Sequence, residues 1–405
     1  MTAVAERPAP ARPVRGARLS RATAFAAIAA ILVTFAAAAA VPSPLYVVYQ
    51  REWGFSAAML TVIFAVYVVA LIAALLTLGA LSDYVGRRPV LAGAIVLEAV
   101  ALVLFLVAGD VSALLAARIV QGVATGAALS TLGAALIDLN PEHAPGRAGL
   151  ISGIAPVGGL GLGALGCGLL VEFAPFPTHL VFALLLAGMA VAGLAVALMP
   201  ETAARRPGAA ASLTPRLGVP ARLRADLVAL VPIIVASWAL GGLYLSLGPS
   251  VAADSFGIHD HLIGGLVVAI VCGVGALTSF LLRGTPTPRV LLVAGSGLVA
   301  GGLITVAGLV AGSLPLATAG SVVSGAGFGA AALASFSTLA QIAQPHERSE
   351  LLAVALVISY AALSLPAVIA GVAAGRVGLH ATVLVYGAAV AALGALALLA
   401  QRRRG

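Results

Sequence analysis

The chain has 405 residues, of which 61% are hydrophobic and only 9% charged, with a net charge of +8 and a mean hydropathy of +1.13. No soluble core takes up that much apolar sequence, so composition excludes a water-soluble globular domain and points to a polytopic membrane protein. All 22 basic residues are arginine, which excludes a G-x-x-x-x-G-K-[ST] nucleotide-binding loop because that loop needs a lysine.

A span needs about 20 apolar residues to cross roughly 30 Å of hydrocarbon. Twelve are predicted, near 22–42, 57–79, 89–109, 111–138, 148–170, 179–199, 225–249, 262–282, 290–311, 314–343, 349–375 and 381–400. Their apolar runs are unbroken rather than alternating, so they read as helices and not as barrel strands. The first run follows arginines and ends in alanines near Val41, as a secretory signal does. It is longer than the apolar region of a signal, about 7–15 residues, and is read as an uncleaved first helix.

Between spans two and three, residues 79–91 read GALSDYVGRRPVL. Gly79 and Gly86 permit a tight turn, and Asp83 near the membrane surface needs a cap or a partner. Glu98 sits mid-way along span three, roughly 14 Å from either end at about 1.5 Å per residue. An ionised carboxylate there costs about 3 kcal/mol on insertion scales, so it is protonated or paired. Arg118 in span four differs from it in depth by about two turns or less and is the expected partner. Two readings stand for Glu98, a proton carrier and a structural acid that orders the hairpin. Asp138 closes span four.

Span five carries Pro156, Gly158 and Gly159, followed by Gly161, Gly163, Gly166 and Gly168. Close helix packing explains such small residues, and a special role does not exclude it. Residues 200–224, with four prolines and five arginines, read as a linker. Trp238 and Tyr244 in span seven and Tyr360 in span eleven either line a cavity or anchor at the interfaces. Ser364 and Pro366 after Tyr360 predict a bend in span eleven. Aromatic residues make up 5% of the chain, too few to predict an aromatic binding cavity. Cys167 and Cys272 read as small apolar fillers, and no metal site is expected.

The chain repeats itself. Val120–Gln121–Gly122 followed by Gly126–Ala127–Ala128 recurs as Val323–Ser324–Gly325 followed by Gly329–Ala330–Ala331, always 203 residues on. A polar corner follows each copy, Pro141–Glu142–His143 before Arg147 and Pro345–His346–Glu347–Arg348. Parallel self-similarity between two six-span halves is a transporter signature. The expected organisation is a tail at 1–21, a bundle at 22–199, the linker at 200–224, a second bundle at 225–400 and a tail at 401–405. If loops alternate across the twelve spans, 19 of the 22 arginines fall on the side of the termini. The positive-inside rule makes that side cytoplasmic. Topology and lipid headgroups account for the basic charge, with no need of nucleic acid.

Several of these patterns resemble the major facilitator superfamily. Its loop motif G-x-L-x-D-x-x-G-R-R/K-x-x-L is matched by Gly79, Leu81, Asp83, Gly86, Arg87, Arg88 and Leu91, between the expected spans. Its R-x-x-Q-G motif is matched by Arg118, Gln121 and Gly122, and Asp138 stands where the family often has an acid. The Gly-Pro motif of its exporters is matched in part by Pro156, Gly158 and Gly159, with Ala155 in place of the leading glycine.

The resemblance implies an all-α membrane fold of twelve helices in two pseudo-symmetric six-helix bundles. It implies a secondary active transporter, not an enzyme, that works by alternating access to a central site. Helices one, four, seven and ten are expected to line that site. Gly79, Asp83, Gly86, Arg87, Arg88 and Asp138 are expected to form a cytoplasmic gate, with Asp83 reaching the start of span eleven near Ser349. Arg118, Gln121, Gly122 and Glu98 are expected to couple transport, and Trp238, Tyr244 and Tyr360 to line the cavity. The expected partners are a small organic solute, protons and the bilayer, with no cofactor and a proton gradient as energy source. A monomer in a bacterial cytoplasmic membrane, both termini inside, is expected. The partial Gly-Pro motif favours export, and an uptake carrier is the rival. A receptor is disfavoured because the longest polar stretch is the 25-residue linker, and a membrane enzyme because the six histidines fall in loops or at span ends.

Overall fold

A computed structural model describes residues 19–144, 146–214, 218–257, 260–344 and 348–402. The tail as far as residue 18, Arg216 of the linker, and Pro345, His346 and Glu347 of the second polar corner lie outside the described residues, as do the last three.

The N-terminal half contains α1 (Arg21–Ala40), α2 (Pro42–Trp53), α3 (Ala57–Leu78), the short α4 (Ser82–Val85), α5 (Arg87–Leu106), α6 (Val111–Asp138), α7 (Arg147–Phe173) and α8 (Leu180–Leu198). After a one-turn α9 (Ala209–Ser212) come α10 (Arg224–Ser246), α11 (Gly248–Phe256), α12 (His261–Leu281), α13 (Thr287–Val310), α14 (Leu314–Ile342), α15 (Arg348–Val377) and α16 (Leu379–Arg402). Twelve stretches among the described residues are long and apolar enough to span a bilayer. An even number of crossings places the start of α1 and the end of α16 on one face, here the terminal face.

Polar side chains start several of these helices. Ser20, Ser56, Asp110 and Asp260 each accept a hydrogen bond from a first-turn amide, satisfying donors that no earlier turn can reach. The Asp110 carboxyl is held below the usual carboxylate range by the Ser112 hydroxyl and the Ala113 amide.

The first span departs from its predicted end. It does not stop near residue 42 but continues as α2, because proline fits the first position of a helix and Pro42 begins one. Gly54, at φ +67°, ends it. The seventh span behaves alike: α11 starts at Gly248–Pro249 and stops at Gly257, φ +64°. The helix α15 continues through Pro366 as one element.

The two halves pack by the same plan. In the first, α1 lies on α7, α3 and α5 lie on α6, and α5 on α8. In the second, α10 lies on α15, α12 and α13 on α14, and α13 on α16. The most extensive contacts between the halves are α3 with α15 and α7 with α12, each the symmetry mate of the other.

Glycine makes these approaches possible, since lipid supplies little hydrophobic drive and helices associate by close packing. A Cβ on Gly122 would lie 2.7 Å from the Ala70 Cβ, and one on Gly126 2.8 Å from that of Ala74. Their repeats Gly325 and Gly329 meet Val271 and Gly275 of α12. The 203-residue repeat is thus a packing stripe used twice. In α7, Gly159 and Gly163 face Ala36 and Ala37 of α1, while Gly161 and Gly168 face α12. The span-five glycines therefore wedge α7 between its own half and the other.

Candidate functional site

On the terminal face, α3 leads through α4 into α5 by way of Gly86. Its backbone, φ +104° and ψ +156°, is one that side chains with a Cβ rarely adopt. This turn brings Arg87 inward. Its Nη1 donates to Asp83 Oδ1 at 2.5 Å and to Ser82 Oγ at 2.7 Å, and its Nε donates to Asp138 Oδ2 at 3.1 Å. Arg88 Nε donates to the Val196 carbonyl at 3.1 Å and its Nη2 to that of Ala197, placing a cation on the negative end of α8.

The sequence reading missed Glu201. Gly86 offers α5 no capping side chain, and Glu201 supplies one from beyond α8, accepting from the Arg87 amide at 2.8 Å and the Arg88 amide at 3.1 Å. The only signal was an acid just past a span end. Asp138 also accepts from the Thr202 hydroxyl at 2.9 Å, and its carbonyl takes Arg21 Nη2 at 2.7 Å. The cluster thus ties together α1, α4, α5, α6 and the segment after α8, all in the first half and the start of the linker. Asp83 is 57% exposed in its side chain and pairs with Arg87. The Ser349 side chain, its expected target on span eleven, lies outside the described residues.

The second cluster is buried in the middle of the first half. Pro42 has no N–H, so the Ala38 carbonyl loses the donor that a helix would place four residues on. Gln121 Nε2 fills that place at 3.1 Å, and Arg118 Nη1 donates to the next carbonyl, Ala39, at 3.2 Å. Gln121 then joins two charges: its Oε1 accepts from Arg118 Nη1 at 2.6 Å and its Nε2 donates to Glu98 Oε1 at 3.0 Å.

Arg118 and Glu98 therefore do not form the direct pair expected from depth alone; the amide stands between them. Glu98 is wholly buried and Arg118 1% exposed, yet among the described residues Glu98 Oε2 and Arg118 Nε have no hydrogen-bond partner. Such atoms are costly when buried, and here they leave the cluster chemically unsaturated.

Aromatic rings surround it. The guanidinium of Arg118 lies 4.6 Å from the Tyr67 ring centroid and 5.7 Å from that of Tyr46, a cation–π arrangement in a low-dielectric setting. In the second half, Trp238 meets Tyr360 edge-on at 5.2 Å and Phe328 at 6.4 Å. With Tyr46 and Tyr67, these rings come from both halves. Tyr244 is buried and hydrogen-bonds the Ser321 hydroxyl at 2.8 Å, so it ties α10 to α14. Ser321 is the repeat partner of Arg118, and its hydroxyl also bonds the Ala317 carbonyl.

The face opposite the termini is closed between the halves. The Ser43 hydroxyl of α2 donates to the Leu245 carbonyl of α10. Glu172 at the end of α7 accepts from the His261 amide at 3.0 Å, setting a carboxylate on the positive end of α12. Among the described residues no group of histidine, cysteine and acidic side chains is placed to hold a metal ion.

Twelve spans in halves related by repeat, with a buried polar cluster beside two tyrosine rings, are the architecture of a membrane transporter. The family model of the Major Facilitator Superfamily matches residues 23–365, and the chain belongs to that superfamily; it is a multi-pass membrane transporter and not an enzyme. The fold is similar to the crystal structure of a mutant of the nucleoside transporter NupG, at 13% identity and a TM-score of 0.68, covering 94% of this chain and 100% of that one. It is also similar to a bacterial homologue of the human lysosomal transporter Spinster, whose structure is described as inward-facing and unoccupied. That match has 16% identity and a TM-score of 0.66, covering 94% and 97%. No curated protein matches the chain.

Proposed function

We propose that this transporter exports a small organic solute in exchange for protons, across a bacterial cytoplasmic membrane with both termini inside. Residues 22–199 and 225–400 act as two bodies that rock about a site near the midplane, joined by the 200–224 linker. The observation that carries the reading is the Arg118–Gln121–Glu98 cluster, present in one half only. A buried acid with one oxygen unbound is able to gain and lose a proton, and Gln121 links that event to the guanidinium beside the central aromatics. The partial Gly-Pro segment at Pro156, Gly158 and Gly159 supports the outward direction. Asp83, Arg87, Arg88 and Asp138 serve as the gate on the terminal face, and the protein acts as a monomer.

The test is reconstitution into vesicles holding a pH-sensitive dye, screened against a panel of small organic compounds. Solute movement should drive opposite proton movement and vanish in Arg118→Ala. Solute flux with no proton flux, or co-directional flux, would replace exchange with facilitated or uptake transport.

A further inference from the structure

A cavity of about 800 Å³ opens at the terminal face between α1, the α6–α7 corner and the start of α7. Such a volume falls within the range of small-molecule sites. Its breadth has a simple origin. The face of α1 that borders it carries Ala22, Ala26 and Ala29, at the spacing of one helix face, so no side chain fills the space. Phe25 and Ile151 add apolar walls.

Charge is set at the edges of this apolar floor. Arg21 and Arg147 line it from two helices, and both are exposed, Arg21 with its Nη2 donating to the Asp138 carbonyl. Arg147 lies over the Phe25 ring at 5.8 Å. The cavity also borders the positive end of the 27-residue α7, whose N-cap, Gly146, has no side chain to neutralise it. Asn140 takes one amide there, that of Ala148, at 2.9 Å. Glu142 is the acid in the lining, beside His143. Among the described residues, two guanidiniums and a helix N-terminus against one carboxylate leave the site electropositive.

We infer that this cavity binds an amphipathic organic monoanion, with its carboxylate between Arg21 and Arg147 and its apolar body on the alanine face of α1. The site lies at the terminal face and shares no residue with the Arg118–Gln121–Glu98 cluster, and it rests on the transport proposed above only for its purpose. Binding is measured without transport, so the two stand or fall separately.

The probe is 4-benzoylbenzoate, an aromatic carboxylate that photolabels its surroundings, used on the full chain in phosphatidylcholine nanodiscs. Labelling should map to α1 and α7 near Phe25 and Ile151, with protection by benzoate and none by benzylammonium. Arg147→Gln and Arg21→Gln should each raise the half-saturating concentration about tenfold, the effect of losing about 1.4 kcal/mol of binding. Ala26→Phe fills the floor with both arginines in place and should abolish labelling. Position 26 is exposed, so this variant decides the matter even if an arginine variant fails to insert. Equal protection by benzylammonium, unchanged labelling in Ala26→Phe, or protection by added phosphatidylglycerol would overturn the inference, the last by assigning the site to a lipid headgroup.

Discussion

Arg118 makes three kinds of contact: hydrogen bonds to an amide and a backbone carbonyl, and cation–π contacts with two tyrosines. Its repeat partner is a serine, and the second half folds with that serine. Arg118→Ala is therefore expected to reach the membrane in normal yield and to transport nothing. Glu98→Gln keeps the hydrogen bond to Gln121 while removing the titrating group. Transport by this variant should lose its dependence on pH; a wild-type pH profile would make Glu98 a structural acid. Glu201 belongs at the same scale. Glu201→Ala leaves two first-turn amides of α5 without their acceptor, at a cost near that of losing a helix cap, about 1 kcal/mol. Lower thermal stability in detergent would register it, and an unchanged melting temperature would show water doing as well. Asp83→Asn should insert normally but transport slowly, measured as initial rate in vesicles.

Helix contacts divide the glycines into two classes. In α7, a methyl group on Gly163 would collide with the backbone of Ala37, whereas one on Gly166 would meet nothing within 4 Å among the described residues. Gly163→Ala should thus push α7 away from α1 and destabilise by about 1–3 kcal/mol, as overpacking does. Gly166→Ala should be neutral or stabilising, because alanine favours helix over glycine by about 1 kcal/mol. Melting temperatures of the two variants in one detergent test the contrast, and equal losses would remove the packing explanation. The glycine pattern was legible in the sequence, but which glycine faces α1, which faces α12 and which faces neither was not. That depends on the rotation of α7 about its axis, set by partners distant in the chain.

Across the whole molecule, the two halves meet along α3–α15 and α7–α12 and are closed by Ser43 and Glu172 on the face opposite the termini. Removing both contacts, in Ser43→Ala with Glu172→Ala, should loosen that face. A cysteine at Ala253, which lines the small space between α2 and α11, should then react faster with an impermeant thiol reagent; equal rates would show that the helices hold without those bonds. Orientation has its own test. On a background lacking Cys167 and Cys272, a cysteine at position 110 should be labelled in intact cells and one at position 210 protected. The reverse pattern would invert the proposed topology.

Hydrophobic length alone determined the twelve spans, because the cost of exposing a backbone to lipid leaves an apolar run few options but a helix. The loop motif and R-x-x-Q-G also stood out in sequence, since their residue types are costly in a membrane unless placed with a partner. What those residues touch was decided by the fold. Glu98 and Arg118 match in depth, and depth predicted a direct pair; the facing of α5 on α6 inserted Gln121 between them. Pro42 is plain in the sequence, but the carbonyl it frees gains meaning only when α6 lies alongside. Glu201 is separated from Arg87 by 114 residues, and the central aromatics come from both halves. Contacts of this kind depend on helix rotation and on how two distant segments end at one level of the membrane, and neither follows from local pattern.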